Sequence, residues 1–400
     1  MFLFKSKIDP ALKDAIKNKY YKKYRVLIKC KSEIYMKSIE KKIKSYSGEI
    51  INSIPIINCI TSKISSKGIE RLVEYPQVEY VCYDNTAILC GTSILSSNGI
   101  KHEGSYKLTG KNVCVGLIDS GSYPHPDLLN PKNKLLKFTD LINHYKYAYD
   151  DNGHGTFISG LICGSGIASK GMYKGISPDA SLYSIKAFNS SGKAQVSDIL
   201  FALQMLINES EEYNIKIICL PFETNNHNPF TESLFSKLFK KAVEKNIIVI
   251  IPSGHNGDGD GSIMGIATLE NCITVGGVDT TLSKVTPYKL SSRGPFGKLD
   301  KPDLAAAAVD ICSLSSNISY VPEKNNMKLY PKTLDNPYTC YSGTSCSAAF
   351  VSGLCALLFE NNPGLTYKDI LSLLKVSCTM LGFSKWAQGS GIVDINKLLP

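Results

Sequence analysis

Three short stretches carry residue types capable of acid–base and nucleophilic chemistry. "LIDSGSYPHPDL" places Asp119 at the end of an apolar run, and "DDNGHGTFISGLICG" sets His154 between glycines where an apolar helix begins. "YSGTSCSAAFVSGLCALLFE" sets Ser345 at the start of a helix rich in small residues. Each also has an ordinary structural reading. An Asp after a strand commonly closes a turn, and a Ser at a helix start commonly caps it by accepting backbone N–H bonds. Histidine titrates near neutrality, and only six occur, at 102, 125, 144, 154, 227 and 255, so candidates for a base are few. Taken jointly, the chain order Asp, His, Ser is one of those that build a nucleophilic triad. A serine hydroxyl is a weak nucleophile near pH 7. An imidazole with a pKa of about 6.5 to 7 takes its proton, and a buried carboxylate fixes the tautomer.

Positioning such groups requires a rigid frame. From residue 113 onward the apolar runs "VCVGLI", "ASLYSIKAF", "IKIICL", "IIVII" and "CITVGGV" alternate with helical stretches near "SDILFALQMLINES", "FTESLFSKLFKKAVEK" and "TYKDILSLLKVS". Continuous apolar strands joined by crossover helices predict a doubly wound, mostly parallel α/β sheet covered on both faces. Ligands bind such sheets at the carboxyl ends of the strands, where Asp119 falls. A nucleotide-binding reading is disfavoured, because "DSGSYPHPD" and not GxGxxG follows the first strand. The N-terminal part has a different rhythm. Strand "YRVLIKC", helical "SEIYMKSIEKKIKSY", strands "GEIINSI" and "IINCITSKI", helical "SKGIERLVEY" and strand "VEYVCYD" give the βαββαβ order of a small ferredoxin-like α+β domain. The expected division is residues 1–90, a linker at 91–104, and the larger domain at 105–400.

The stretches "VGLIDSGSYPHPDL", "DDNGHGT", "YKGISPDASLYSIKAF", "SSRGP", "KPDLAA", "SGTSCSAA" and "QGSGIVD" follow one another over roughly residues 105–395. On these motifs the chain resembles the subtilisin-like serine proteases, the subtilases. Its layout is similar to that of signal-less intracellular bacterial members with an N-terminal propeptide. The resemblance implies that Ser345 is the nucleophile, His154 the general base and then acid, and Asp119 the residue that orients and stabilises the imidazolium. It implies a peptide or protein substrate, hydrolysed through an acyl-enzyme with no cofactor in the chemistry. Asp127 in "PHPDL" matches a position that holds structural calcium in some members. The N-terminal domain would chaperone folding and act as an intramolecular inhibitor. Its last stretch, around "DNTAILCGTS", would lie in the active site and be cut there, making the chain a self-inhibited zymogen.

The chain departs from the family pattern near the substrate. Where an asparagine usually donates its amide to the oxyanion, His255 follows Gly254 and Asn256 comes one position later, so both are candidates beside the N–H of Ser345. One lost oxyanion donor costs about 2.7 to 4 kcal/mol, and a histidine ring is itself a usable donor. The substrate-lining Ser-Leu-Gly is replaced by Pro221, Phe222 and Glu223, where the proline removes one backbone donor. Ile251, Pro252, Ser253 and Gly254 complete the expected substrate-binding set, with Pro252 and Ser253 in place of small alanines. These changes predict an endopeptidase of narrow specificity. The alternative is a pseudoprotease that uses an altered cleft for binding or regulation.

Bulk properties bound the partners. Of the formal net charge of +10, residues 1–90 carry +8, with 17 basic and 9 acidic side chains. No interleaved aromatics or recognised motif accompanies that charge, which argues against a nucleic-acid partner. No run approaches the roughly 18 apolar residues of a membrane span, and the first residues lack a secretory apolar stretch. The thirteen cysteines show no CxxC pair and sit mostly in apolar runs. They read as buried small hydrophobes in a reducing cytoplasm and not as a disulfide framework or zinc site. "DGDGS" at 258–262 is too short for an EF-hand loop and reads as an acidic turn.

Overall fold

A computed structural model describes residues 7–89, 98, 107–224, 227–281, 284–297 and 299–399. Apart from Asn98, the expected linker at 91–104 lies outside them. The chain forms two compact units, one comprising the chain up to Thr86 with Gln195–Gln204, the other Ala87–Ala194 with Met205–Pro400.

In the first unit, strands Glu49–Ile54, Cys59–Ile64, Tyr24–Cys30 and Val78–Tyr83 lie side by side in that order, and every neighbouring pair is antiparallel. Helices Met36–Ser45 and Ser66–Glu74 make the crossovers. Their apolar residues recur at helical spacing, so Ile39, Ile43, Ile69 and Leu72 bury against Val26, Ile28, Ile60 and Val81 of the sheet. Ser65 caps the second helix by accepting the N–H of Gly68.

The second unit is built on a sheet with the order Cys378–Thr379, Ile392–Val393, Leu304–Ala307, Ile273–Asp279, Ile248–Pro252, Ile215–Cys219, Cys114–Asp119, Ser181–Lys186 and Leu135–Asp140. All pairings from Ile392–Val393 to Leu135–Asp140 are parallel. Four of these strands escape a reading of the sequence by apolar runs, and two of them, Cys378–Thr379 and Ile392–Val393, are only two residues long. "LLKFTD" is an edge strand that buries only its last residue fully, and "LAAA" lacks the β-branched residues that mark strands. Helices His154–Cys163 and Thr344–Asn361 are buried on every side or nearly so, in keeping with their lack of a polar face. Among the described residues no helix is long and apolar enough to cross a membrane.

The cysteine reading needs one correction. Ten described cysteines are free and mostly buried, but Cys312 and Cys340 form a disulfide. They face each other across the antiparallel pair Ile311–Leu314 and Tyr338–Tyr341, with Cα atoms 4.1 Å apart. Their separation of 28 residues hides this pairing in the sequence, because only the hairpin brings them together.

Candidate active site

Asp119 is the last residue of a central strand and is fully buried. His154 begins its helix, and Ser345 lies in the first turn of the helix Thr344–Asn361. Nδ1 of His154 is 2.9 Å from both carboxylate oxygens of Asp119, and Nε2 is 3.2 Å from Ser345 Oγ. Three segments, successively 35 and 191 residues apart in the chain, thus converge on one line of hydrogen bonds. The histidine helix can approach the Asp turn this closely because residue 155 is glycine. A Cβ there would lie 2.1 Å from the carbonyl oxygen of Gly121 and 3.1 Å from Asp119 Cβ.

Residues not singled out in the sequence hold this arrangement. Asp150 is buried at the N-terminal end of the histidine helix, and one oxygen accepts the N–H groups of Asn152 and Gly153 and the hydroxyl of Ser120. The other accepts the N–H and hydroxyl of Thr156. A carboxylate there satisfies helix N–H groups and complements the helix dipole. Ser120 Oγ in turn accepts the N–H of Gly155 at 2.9 Å, tying the Asp119 turn to the histidine helix. Lys186, wholly buried opposite Asp119 in the parallel register, donates to the carbonyls of Ser120 (2.7 Å) and Phe188 (2.9 Å) and to Asp151. The adjacent acids of "DDNGHG" were the available signal. Their separate partners were not.

On the far side, Gly343 donates its N–H to Ala308 O, and the Thr344 hydroxyl donates to Gly254 O at 3.1 Å. The segment holding His255 and Asn256 is therefore bonded directly to the residue before Ser345. Asn256 is exposed, and its amide is directed to Glu223 Oε2 and Ser262 O, each at 3.4 Å. His255 is half-buried with its ring centroid 5.8 Å from that of Tyr288, and its Nδ1 is buried with no hydrogen-bond partner.

The expected substrate-binding residues divide. Ala87, Ile88 and Leu89 pair antiparallel with Thr224, Glu223 and Phe222, so this strand presents its backbone as an edge. Pro221 immediately precedes it. The side chain of Phe222 belongs to the core, with its ring 5.0 Å from Phe188, and Ile251 is buried inside the sheet. Strand alternation sends the Phe222 side chain inward and leaves the backbone of this strand as the part able to pair with an extended peptide. Pro252 ends the strand paired with Val275, and the buried Ser253 donates its N–H to Val275 O.

The surroundings of Asp127 do not fit a metal. Its Oδ1 accepts the N–H of Ala168 at 2.9 Å and its Oδ2 the Tyr338 hydroxyl at 2.6 Å, donors whose positive ends occupy a cation's place. Burial, and then the carboxylate itself, hold the Tyr338 hydroxyl well above its ordinary pKa, so it remains a donor. Among the described residues no three metal-ligating side chains converge. The neighbouring His125 is structural. Burial pulls its pKa below the ordinary value, and the neutral ring accepts from Asp127 N–H and meets Pro337 O at 2.9 Å.

Known proteins similar to this chain point to one family. The sequence model of the Subtilase family matches residues 110–392. The chain is 29% identical to the serine protease AprX of Bacillus subtilis, over 92% of this chain and 83% of that protein. It is 27% identical to subtilisin E of the same species, over 90% and 86% respectively. Among solved structures it is similar to fervidolysin of Fervidobacterium pennivorans, described as a keratinolytic enzyme related to subtilisin. The TM-score is 0.72 at 18% identity, over 95% of this chain and 61% of fervidolysin. The chain spans about three fifths of fervidolysin, and that likeness shows the fold. With the family match covering most of its length, the chain belongs to the subtilase family of serine endopeptidases.

Proposed function

We propose that the chain hydrolyses peptide bonds through Asp119, His154 and Ser345, with narrow specificity, and that it is made as a self-inhibited zymogen. The observation that carries the catalytic part is the unbroken line Asp119 carboxylate, His154 imidazole, Ser345 hydroxyl, at 2.9 and 3.2 Å. His154 takes the serine proton as Oγ attacks the scissile carbonyl. Asp119 stabilises the imidazolium and keeps Nδ1 protonated, leaving Nε2 to act as base. The imidazolium then protonates the leaving amine, and an acyl-enzyme remains for water to hydrolyse by the same proton path. Ser345 lies at a helix N-terminus, whose partial positive charge favours the oxyanion.

Support for self-inhibition comes from Ala87–Leu89. This segment directly follows the four-stranded N-terminal unit and occupies the edge Phe222–Thr224 by strand addition, the mode in which an extended peptide binds a sheet edge. Support for narrow specificity comes from Pro221 and Glu223, which change that edge.

A second reading, a binding module without turnover, is favoured by the commitment of the Asn256 amide to Glu223 and Ser262. A serine-directed fluorophosphonate separates the two. Labelling of wild type that disappears in His154→Ala is expected. Absence of labelling in the folded, processed protein would support the binding module. Intact masses of wild type and Ser345→Ala test processing, and equal, uncut masses would overturn self-cleavage.

A further inference from the structure

The replacement of a small residue by Glu at position 223 has a structural counterpart 32 residues on. Glu223 Oε2 accepts the backbone N–H of His255 at 2.7 Å and lies 3.4 Å from the amide nitrogen of Asn256. It reaches this point only because residue 254 is glycine. A Cβ on Gly254 would lie 2.6 Å from Oε2, and the local φ of +108° is one that side-chain-bearing residues rarely adopt. The same segment is fixed from the opposite direction. Gly254 O accepts both the Thr344 hydroxyl and the Ser292 N–H at 3.1 Å, and Asn256 N–H donates to Ser292 Oγ at 2.8 Å. Residues 254–256 are thus held between the residue preceding the nucleophile and one carboxylate on the peptide-pairing edge.

We infer that Glu223 is a positioning residue that couples the edge strand to the segment 254–256, and so sets where His255 and Asn256 stand relative to Ser345. Its backbone pairs with Ile88, while its side chain holds the His255 N–H. A peptide adding to the edge at residue 223 orders the backbone from which this carboxylate projects. The segment 254–256 is therefore held best when the edge is occupied. In this chain the changes at positions 223 and 255 form one unit. Without the carboxylate, the N–H of His255 loses its acceptor and the segment keeps its bonds to Thr344, Ser292 and Ser262. This inference rests on the catalytic reading proposed above, since it assigns Glu223 a part in turnover.

The test is steady-state hydrolysis of peptide p-nitroanilides by wild type and its Glu223→Ala, Glu223→Asp and Glu223→Gln variants, each expressed in full length and assayed after its N-terminal segment has been cleaved, with intact mass to establish cleavage and thermal melting to establish folding. Misplacing catalytic groups by about 1 Å costs on the order of a hundredfold in rate. Glu223→Ala and the shorter Glu223→Asp are expected to lower kcat by about tenfold to a hundredfold, with KM changed less than about threefold. Glu223→Gln keeps an oxygen acceptor at the same reach and is expected to recover kcat to within about threefold of wild type. An unchanged kcat in folded Glu223→Asp would overturn the inference. So would a rise in KM at constant kcat, which would mark Glu223 as a substrate contact only. If Glu223→Ala does not fold, the Asp and Gln pair decides by the same criteria. Failure of the catalytic reading is recognised separately, as processed wild type that is neither labelled by fluorophosphonate nor able to turn over any peptide.

Discussion

At the scale of single residues, the site depends on which atom of His154 carries the proton. Both oxygens of Asp119 face Nδ1, and one also accepts the N–H of Ser120 at 2.6 Å, so the carboxylate is oriented before any substrate arrives. Asp119→Asn keeps the shape but can turn an N–H toward Nδ1, favouring the tautomer in which Nε2 is protonated and unable to act as base. We expect kcat to fall by about four powers of ten with little change in KM, measured on peptide p-nitroanilides. A loss below about tenfold would show that Asp119 does not control the tautomer. His125 and His154 make the contrast plain. Both are buried histidines, but His125 is held neutral by burial and bonded to the backbone on both sides, whereas His154 joins a carboxylate to a hydroxyl.

At the scale of elements, the hairpin Ile311–Leu314 and Tyr338–Tyr341 packs on the histidine helix and leads into the helix that holds Ser345. Ser313 Oγ donates to Phe157 O at 2.8 Å, and the Tyr341 ring lies 4.8 Å from that of Phe157 in the histidine helix. The second strand of the hairpin ends four residues before Ser345. The Cys312–Cys340 bond closes a loop of 28 residues, which by chain entropy stabilises the fold by about 3 to 4 kcal/mol. Paired Cys312→Ser and Cys340→Ser substitutions are expected to lower the denaturant midpoint accordingly. Reduction of wild type by dithiothreitol should reproduce the loss. An unchanged midpoint in both experiments would show that the bond does not form in solution.

At the scale of the whole molecule, acid sensitivity has an identifiable buried contributor. Asp303, in the motif "KPDLAA", receives Lys301 at 2.7 Å and Lys375 at 2.9 Å and accepts the N–H of Thr274. Burial alone would raise its pKa, but the two ammonium groups outweigh it and hold the carboxyl below its ordinary value. The unfolded state therefore binds more protons in the acid range. The contribution of Asp303 is fully present above the unfolded pKa of about 3.9 and is lost as pH falls through the lower folded value. Asp303→Asn leaves buried lysine charge uncompensated and is expected to cost about 3 kcal/mol near neutrality. Its unfolding midpoint should also vary less than that of wild type between about pH 2 and 5. A parallel pH dependence in the two proteins would remove Asp303 from the account.

Much of this protein follows from the sequence because local rules act locally. Apolar runs with crossover helices specify the parallel sheet, and helical and strand periodicity specify the four-stranded N-terminal unit. Asp119, His154 and Ser345 are legible because each follows or begins an element whose end can be read. The tertiary structure decided what depends on atoms distant in the chain. It assigned the partners of Asp150 and Lys186, and it gave the oxygens of Asp127 to Ala168 and Tyr338 and not to a cation. It joined Cys312 to Cys340 and turned Phe222 into the core. It also linked Glu223 to His255, two departures from the family pattern that the sequence displays as unrelated. The physical reason is common to all of these. A residue type fixes which hydrogen bonds a side chain can make, but only the folded chain determines which donor or acceptor lies within 3 Å of it.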